Sequence, residues 1–244
     1  MKISFPMKNL LILFIITLSL NHSFGQKNEI SVSLNSGLFS FRGASAQSVS
    51  MINYDDRSNN GYTNNPWGSQ DGLCYGLSVG AKRITKKNII VGLDIGYENL
   101  RSKISIDKIG GYNGVSTYQY AATGQTYLNN IFINLYPSLG YRIHLKKLNF
   151  DLSGGIEVAL STSSYDKGSA TAENGTTYSI LRERAGEIDC DIRQRIQLSS
   201  SFDRIGIYLG YSNGMSNYLS GYIGGSTNEG FSRLIRFGMT YKLR

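Results

Sequence analysis

The chain is poor in the residues from which reactive sites are usually built. It holds two cysteines and two histidines in 244 residues, and one of the histidines, His22, lies inside an apolar N-terminal leader. No cysteine and histidine cluster at ligand spacing, so neither a metal site nor a cofactor is expected. After the leader no apolar run is long enough for a membrane-spanning helix. No linker, internal repeat or low-complexity tract divides the remaining 219 or so residues, which reads as one domain. The net charge is +8, yet the lysines and arginines are scattered over turns and strand faces. Without a basic patch there is no electrostatic footprint for nucleic acid.

What is present points to export and to strands. Met1, Lys2 and Lys8 precede an apolar core from Leu10 to Leu20, followed by Ser23, Phe24, Gly25 and Gln26. That is the layout of a secretory signal peptide over residues 1–25, with cleavage near Gly25. No cysteine stands near that position to carry a lipid anchor. Over the full chain, 28 glycines and 17 tyrosines against three prolines suit an antiparallel β protein with wide loops.

The stretch Asn130 to Leu160 shows the pattern best. Ile131, Ile133, Leu135, Pro137, Leu139, Tyr141 and Ile143 alternate with Phe132, Asn134, Tyr136, Ser138, Gly140 and Arg142. After a turn from His144 to Leu148, Phe150, Leu152, Ile156, Val158 and Leu160 alternate with Asp151, Ser153, Gly155, Glu157 and Ala159. Period two is the strand signature, and runs of this length exceed the usual ~5–6 residues of a soluble strand. Similar runs begin near Glu29, Leu73, Ile89, Ile188, Ile205 and Ile235, giving eight strands. Short turns at Thr85–Asn88, 144–148 and 201–204 alternate with long polar connections, of which 43–71 has no sustained periodicity. The connections 101–125 and 161–187 keep some alternation, as ribbons that prolong the strands.

The expected fold is therefore all-β: an eight-stranded antiparallel up-and-down transmembrane β-barrel with long extracellular loops and short periplasmic turns. Apolar-face aromatics collect at both strand ends, with Tyr75, Tyr97, Tyr127, Tyr211 and Phe231 at one and Tyr141, Phe150 and Tyr241 at the other, as in interfacial girdles. Facing lipid, Arg193 and Arg195 would each cost about 2–4 kcal/mol near the midplane, which directs that polar face inward. By the same parity Asp94, Glu98, Asp151, Glu157, Asp189 and Asp191 point into the lumen against Lys82, Arg142, Arg193, Arg195, Arg236 and Lys242. An eight-stranded interior is just wide enough to be filled by side chains, so a packed charge network is expected rather than an open pore. Cys74 points inward and Cys190 outward, which leaves both thiols unpaired.

With leader, alternating strands and girdles in place, the run Leu135 to Tyr141 and the closing run Arg236 to Leu243 resemble the small outer-membrane β-barrels of Bacteroidetes-type bacteria. That group is described as porin-family or PorT-like and has OmpX-like architecture. The resemblance covers the mature chain and implies a non-enzymatic integral protein of the cell outer membrane. Its implied partners are lipopolysaccharide and phospholipid, and other outer-membrane or periplasmic proteins that it serves as a structural or accessory subunit. Tyr54, Tyr62, Trp67, Tyr112, Tyr118 and Tyr120, in the first two loops, are candidate contacts for a partner, since exposed aromatics anchor interfaces. Local loop packing is the competing role for each of them. Two alternatives stay open. One is a lipid-modifying enzyme, although His144, the general base such chemistry would require, sits in a short turn at the far end from the outer leaflet. The other is a narrow pore, should Lys103–Ile109 and Val115–Ala121 cross the membrane as a ninth and tenth strand.

Overall fold

The computed structural model describes residues 27–184, 188–221 and 228–243, so the expected leader lies outside the described residues. Eleven strands and no helix occur among them: β1 (Lys27–Arg42), β2 (Val49–Asp55), β3 (Asn60–Thr63), β4 (Gln70–Ile84), β5 (Ile89–Tyr112), β6 (Thr117–Leu145), β7 (Leu148–Ala172), β8 (Thr177–Glu183), β9 (Cys190–Phe202), β10 (Ile205–Gly214) and β11 (Phe231–Lys242).

Antiparallel pairing runs β1–β4–β5–β6–β7–β9–β10–β11 and returns to β1, so this ladder has no free edge. It closes with a stagger. Followed one way, the row from Leu34 passes through Leu77, Tyr97 and Ile133 to Leu160; followed the other way it passes through Met239, Ile207 and Ser200 to Phe150. The two arrivals on β7 lie ten residues apart, the kind of shear that a closed ring needs when its strands tilt by about 35–45°.

Three tight turns join strands at one end, at Thr85–Asn88, Lys146–Lys147 and Asp203–Arg204; each holds a residue at positive φ, namely Asn88, Lys146 and Asp203. At the other end the chain does more than loop. Here β5 and β6 run on past the ring as one long hairpin: Lys103–Ile109 continues β5, and of Val115–Ala121 the residues from Thr117 on continue β6, with Val115 and Ser116 in the turn. In the same way β7 runs on to Ala172 and is met by β8.

The stretch 43–71, read from sequence as an unstructured loop, departs from that expectation. It contains β2, which pairs in parallel with the far part of β5 across a bulge, and β3, which pairs back onto β2. Two short strands carry too few alternating positions to show a period. Their partners are ribbons distant in the chain, and only the folded ribbon supplies the ladder. The outcome is a second, smaller sheet in the order β3–β2–β5–β6–β7–β8 beyond the ring. Its two outermost strands approach each other, and the Asn60 side chain bonds both backbone groups of Leu181.

Candidate functional site

The inner column of the ring is ionic. Near the turn end Arg142 donates to both oxygens of Glu29, at 2.8 Å each, and to both of Asp151, at 2.6 and 2.9 Å. Lys82 lies 3.2 Å from Asp151 and Lys242 lies 3.5 Å from Glu29. Farther in, three arginines converge on Glu157: Arg236 at 2.6 Å, Arg193 at 2.7 Å and Arg195 at 3.0 Å. Arg236 also grips Glu98 through two bonds of 2.6 and 2.7 Å, and Arg193 bonds Asp191 at 2.6 Å. Aromatic faces complete the shell, with Phe132 4.8 Å below Arg193 and Tyr136 4.2 Å below Arg195. Charges with this little access to water must be matched by partners, because an unpaired one would bear its full desolvation cost. Glycine on the polar face makes the room: a Cβ on Gly80 would lie 2.2 Å from an Asp94 carboxylate oxygen.

Between the two ionic groups lies a cavity of about 30 Å³ lined by Lys82, Asp94, Asp151, Ser200, Thr240 and Lys242. That is room for a water or two and for no organic substrate. Above the second group the column turns apolar, where Phe39, Phe41, Trp67, Tyr218, Leu219 and Leu234 pack into a plug. Phe41, Trp67 and Tyr218 meet edge to face at 5.0–5.7 Å, and the Tyr218 hydroxyl donates to Asp191 at 2.7 Å. The plug is thus tied to the network beneath it.

Of the residues assigned to the lumen from sequence, Asp94 lines the cavity, and Glu98, Asp151, Glu157, Asp191, Lys82, Arg142, Arg193, Arg195, Arg236 and Lys242 make the contacts above or line the same column. Asp189 is a correction. It is exposed, because β9 begins one residue later at Cys190 and the parity that aims Asp189 inward has not yet started. Glu29 takes its place, 4% exposed and central to the turn-end group. Six acids still face six bases. The signal for Glu29 was available, since it alternates with the outward Ile30. Both cysteines are free, with Cys74 buried and Cys190 half-exposed on the other face.

The loop aromatics divide. Trp67 is corrected from candidate contact to plug, 5% exposed against Phe41 and Tyr218. Tyr54, Tyr118 and Tyr120 lean on a small apolar core of Ile52, Ile104, Ile106, Ile109, Ala170 and Ile180 inside the second sheet. The Tyr118 hydroxyl donates to Asp56 at 2.8 Å, and burial, reinforced by that carboxylate, holds its pKa above the ordinary phenol range. Tyr62 and Tyr112 remain exposed, with Arg182 and Arg57 over their respective rings at 4.8 and 5.5 Å.

The outer face inverts this order. Around the ring it is apolar and bare, with Leu34, Leu139, Ile207 and Met239 each more than half exposed. Along β6 the change is visible on one strand. The outward residues run Ile143, Tyr141, Leu139, Pro137, Leu135, Ile133 and Ile131, then Asn129, Tyr127, Gln125, Thr123, Ala121 and Gln119. The inward ones run Arg142, Gly140, Ser138, Tyr136, Asn134, Phe132, Asn130 and Leu128, then Thr126, Gly124, Ala122, Tyr120 and Tyr118. The outer face turns from apolar to mostly polar past Ile131, and the charged and amide side chains of the inner face end at about the same level.

No protein-family model matches the chain, and no curated protein matches it in sequence. Among solved structures, Neisserial surface protein A is 11% identical, with a TM-score of 0.38 over 88% of this chain and 97% of that one. Ail, the attachment invasion locus protein of Yersinia pestis, is 9% identical, with a TM-score of 0.33 over 90% and 99%. The translocator domain of the autotransporter NalP from Neisseria meningitidis is 12% identical, with a TM-score of 0.26 over 96% and 94%.

Proposed function

We propose that this chain is a small integral outer-membrane β-barrel of the PorT-like kind. It is exported by its leader and crosses the bilayer with eight strands, its long connections outside the cell and its short turns in the periplasm. We further propose that it is non-enzymatic and acts as a structural or accessory subunit, presenting the second sheet to other outer-membrane proteins or to surface ligands. The observation that carries the reading is the polarity inversion: a ring with charge inside and bare apolar side chains outside would be unstable in water and is matched to lipid. The outward apolar run on β5, Ile89 to Tyr97, spans nine residues, about what a tilted strand needs to cross hydrocarbon.

The packed ionic column and the plug above it support a closed lumen over a pore. His144 supports the absence of hydrolytic chemistry: it is exposed at the turn end, with its ring nitrogens 2.6 Å from Asn149 and 3.3 Å from Asn88. The deciding experiment is gentle extraction of the tagged protein from its own outer membrane, followed by sizing and mass spectrometry of what co-purifies. A stoichiometric partner that stays bound is the expected result. A lone barrel would overturn the accessory role, and steady conductance steps in planar bilayers would overturn the closed lumen.

A further inference from the structure

Basic side chains at the upper rim of the apolar band are treated in two ways by the fold. On one side of the ring they are engaged by the protein. Arg42 donates to Asn213 and to the Gly214 carbonyl at 2.9 and 2.8 Å, and Arg233 reaches Ser40 at 2.9 Å and Asp71 at 3.5 Å. On the other side, across β5, β6 and β7, no carboxylate among the described residues pairs with them. Lys103, Tyr127 and Lys167 are direct cross-strand partners in one outward row. Arg101, two residues nearer the band than Lys103, lays its guanidinium 4.8 Å over the Tyr127 ring.

Among the described residues no carboxylate lies within ion-pair distance of Arg101, Lys103 or Lys167, and Arg101 Nε is buried without a hydrogen-bond partner. The acids nearest in register do not fill the gap. Asp71, opposite Ser102, is engaged by Arg233, and Glu183 stands opposite Tyr165. Three cations are gathered around one aromatic face within two rows, where neighbouring strands lie about 4.8 Å apart. Like charges collected this way repel, and a dianionic group seated among them would relieve that repulsion through charge-assisted bonds.

We propose that this triad is a binding site for the headgroup phosphate of an outer-leaflet lipid. The inference rests on the outer-membrane reading given above. A lipid is favoured over a free anion by the surface farther toward the turns. Past two mixed rows, Arg101–Asn129–Tyr165 and Asn99–Ile131–Ser163, the outward columns of the same three strands continue as Tyr97 and Ile95, Ile133 and Leu135, and Leu160 and Val158, an apolar surface for the acyl chains of the amphiphile whose phosphate the triad holds. Tyr127 sits between the two chemistries, where an amphipathic ring is favoured.

The test uses the full mature chain folded into phosphatidylcholine nanodiscs, with insertion checked by heat-modifiable gel mobility. The probes are diphosphorylated lipid A, its fully dephosphorylated form, and inorganic phosphate. Diphosphorylated lipid A is expected to bind in preference to the dephosphorylated form. Arg101→Gln, Lys103→Gln and Lys167→Gln are each expected to weaken it roughly ten-fold, the scale of one charge-assisted bond, with Lys103→Arg restoring most of the loss. The double variant Lys86→Gln, Lys87→Gln, in the turn at the opposite end, should bind like the parent. Equal binding of the two lipids, unaffected binding in the Arg101→Gln, Lys103→Gln and Lys167→Gln variants, or an equal loss in the Lys86 and Lys87 control would overturn the proposal. So would full displacement by millimolar inorganic phosphate, which would mark a site for the free ion. A chain that folds and inserts but shows no phosphate preference refutes this site alone, whereas failure to insert refutes the membrane reading with it.

Discussion

The ring and the sheet beyond it are built from the same strands and invert each other. In the ring, arginine and carboxylate fill the inside, and leucine, isoleucine and valine cover the outside. In the extension, Ile52, Ile104, Ile106 and Ile109 fill the inside, while Gln125, Thr123 and Ser169 cover the outside. No break in β5, β6 or β7 separates the two. In the membrane reading proposed above, what changes is the medium outside, and the interior changes with it. Facing lipid, the apolar side chains gain nothing by packing inward, and order inside must come from directed ion pairs. Facing water, the usual burial of apolar surface takes over. The lesson is that a strand's parity assigns two faces, and the surrounding solvent decides which of them carries the charge.

That contrast can be broken most sharply at the centre of the ring. Glu157→Gln leaves three arginines sharing a neutral amide, and it is expected to destabilise the ring by about 3–5 kcal/mol, read as a lowered urea midpoint of the folded, heat-modifiable band. Next in size is the outer face. Leu139→Arg places a cation in the apolar band and is expected to cost about 2–4 kcal/mol in a bilayer. Its counterpart Gln125→Arg, on the same face of the same strand in the extension, should stay within about 0.5 kcal/mol. A similar cost at both positions would mean that the bilayer boundary does not lie between them.

Inside the extension, Ile104→Ala should remove roughly 2–3 kcal/mol of local stability, a large-to-small loss in a small core. It is expected to speed proteolysis in β2 and β3 while leaving the gel shift of the ring intact; loss of both together would show one cooperative unit instead of two. The smallest effect is expected at Asp189. Asp189→Asn should change stability by less than about 0.5 kcal/mol, since the side chain is exposed. Asp191→Asn, two residues on, weakens the acceptor of both Arg193 and Tyr218 and should be clearly destabilising in the same urea titration.

Much of the crossing part of the fold was legible because a long strand repeats its period many times. The run from Ile131 to Ile143 leaves no other assignment open. Legibility failed where the run was short or the partner distant. Strands of four and seven residues, β3 and β2, offered no period to count, and β2 found a parallel partner some fifty residues on. Parity also needs a strand start: a run read from Ile188 begins only at Cys190, which put Asp189 in the lumen, whereas Glu29 was left out although its alternation with Ile30 points it inward. Trp67 was unreadable for a different reason. A loop aromatic is equally consistent with a plug and with a contact surface, and only the position of Phe41 and Tyr218 decides between them.

By itself the sequence determined that this chain is all-β, that its strands have one apolar and one polar face, and that the polar face carries acids and bases in balance. These are local properties, written in spacing and composition. Only the tertiary structure decided which carboxylate meets which guanidinium, that the ring closes with its stagger, that a second sheet with an apolar core stands on it, and that three cations gather around Tyr127 with no carboxylate in ion-pair distance among the described residues. Each of those depends on register between strands far apart in the chain, and register is fixed by closure of the whole ladder rather than by any one stretch of residues.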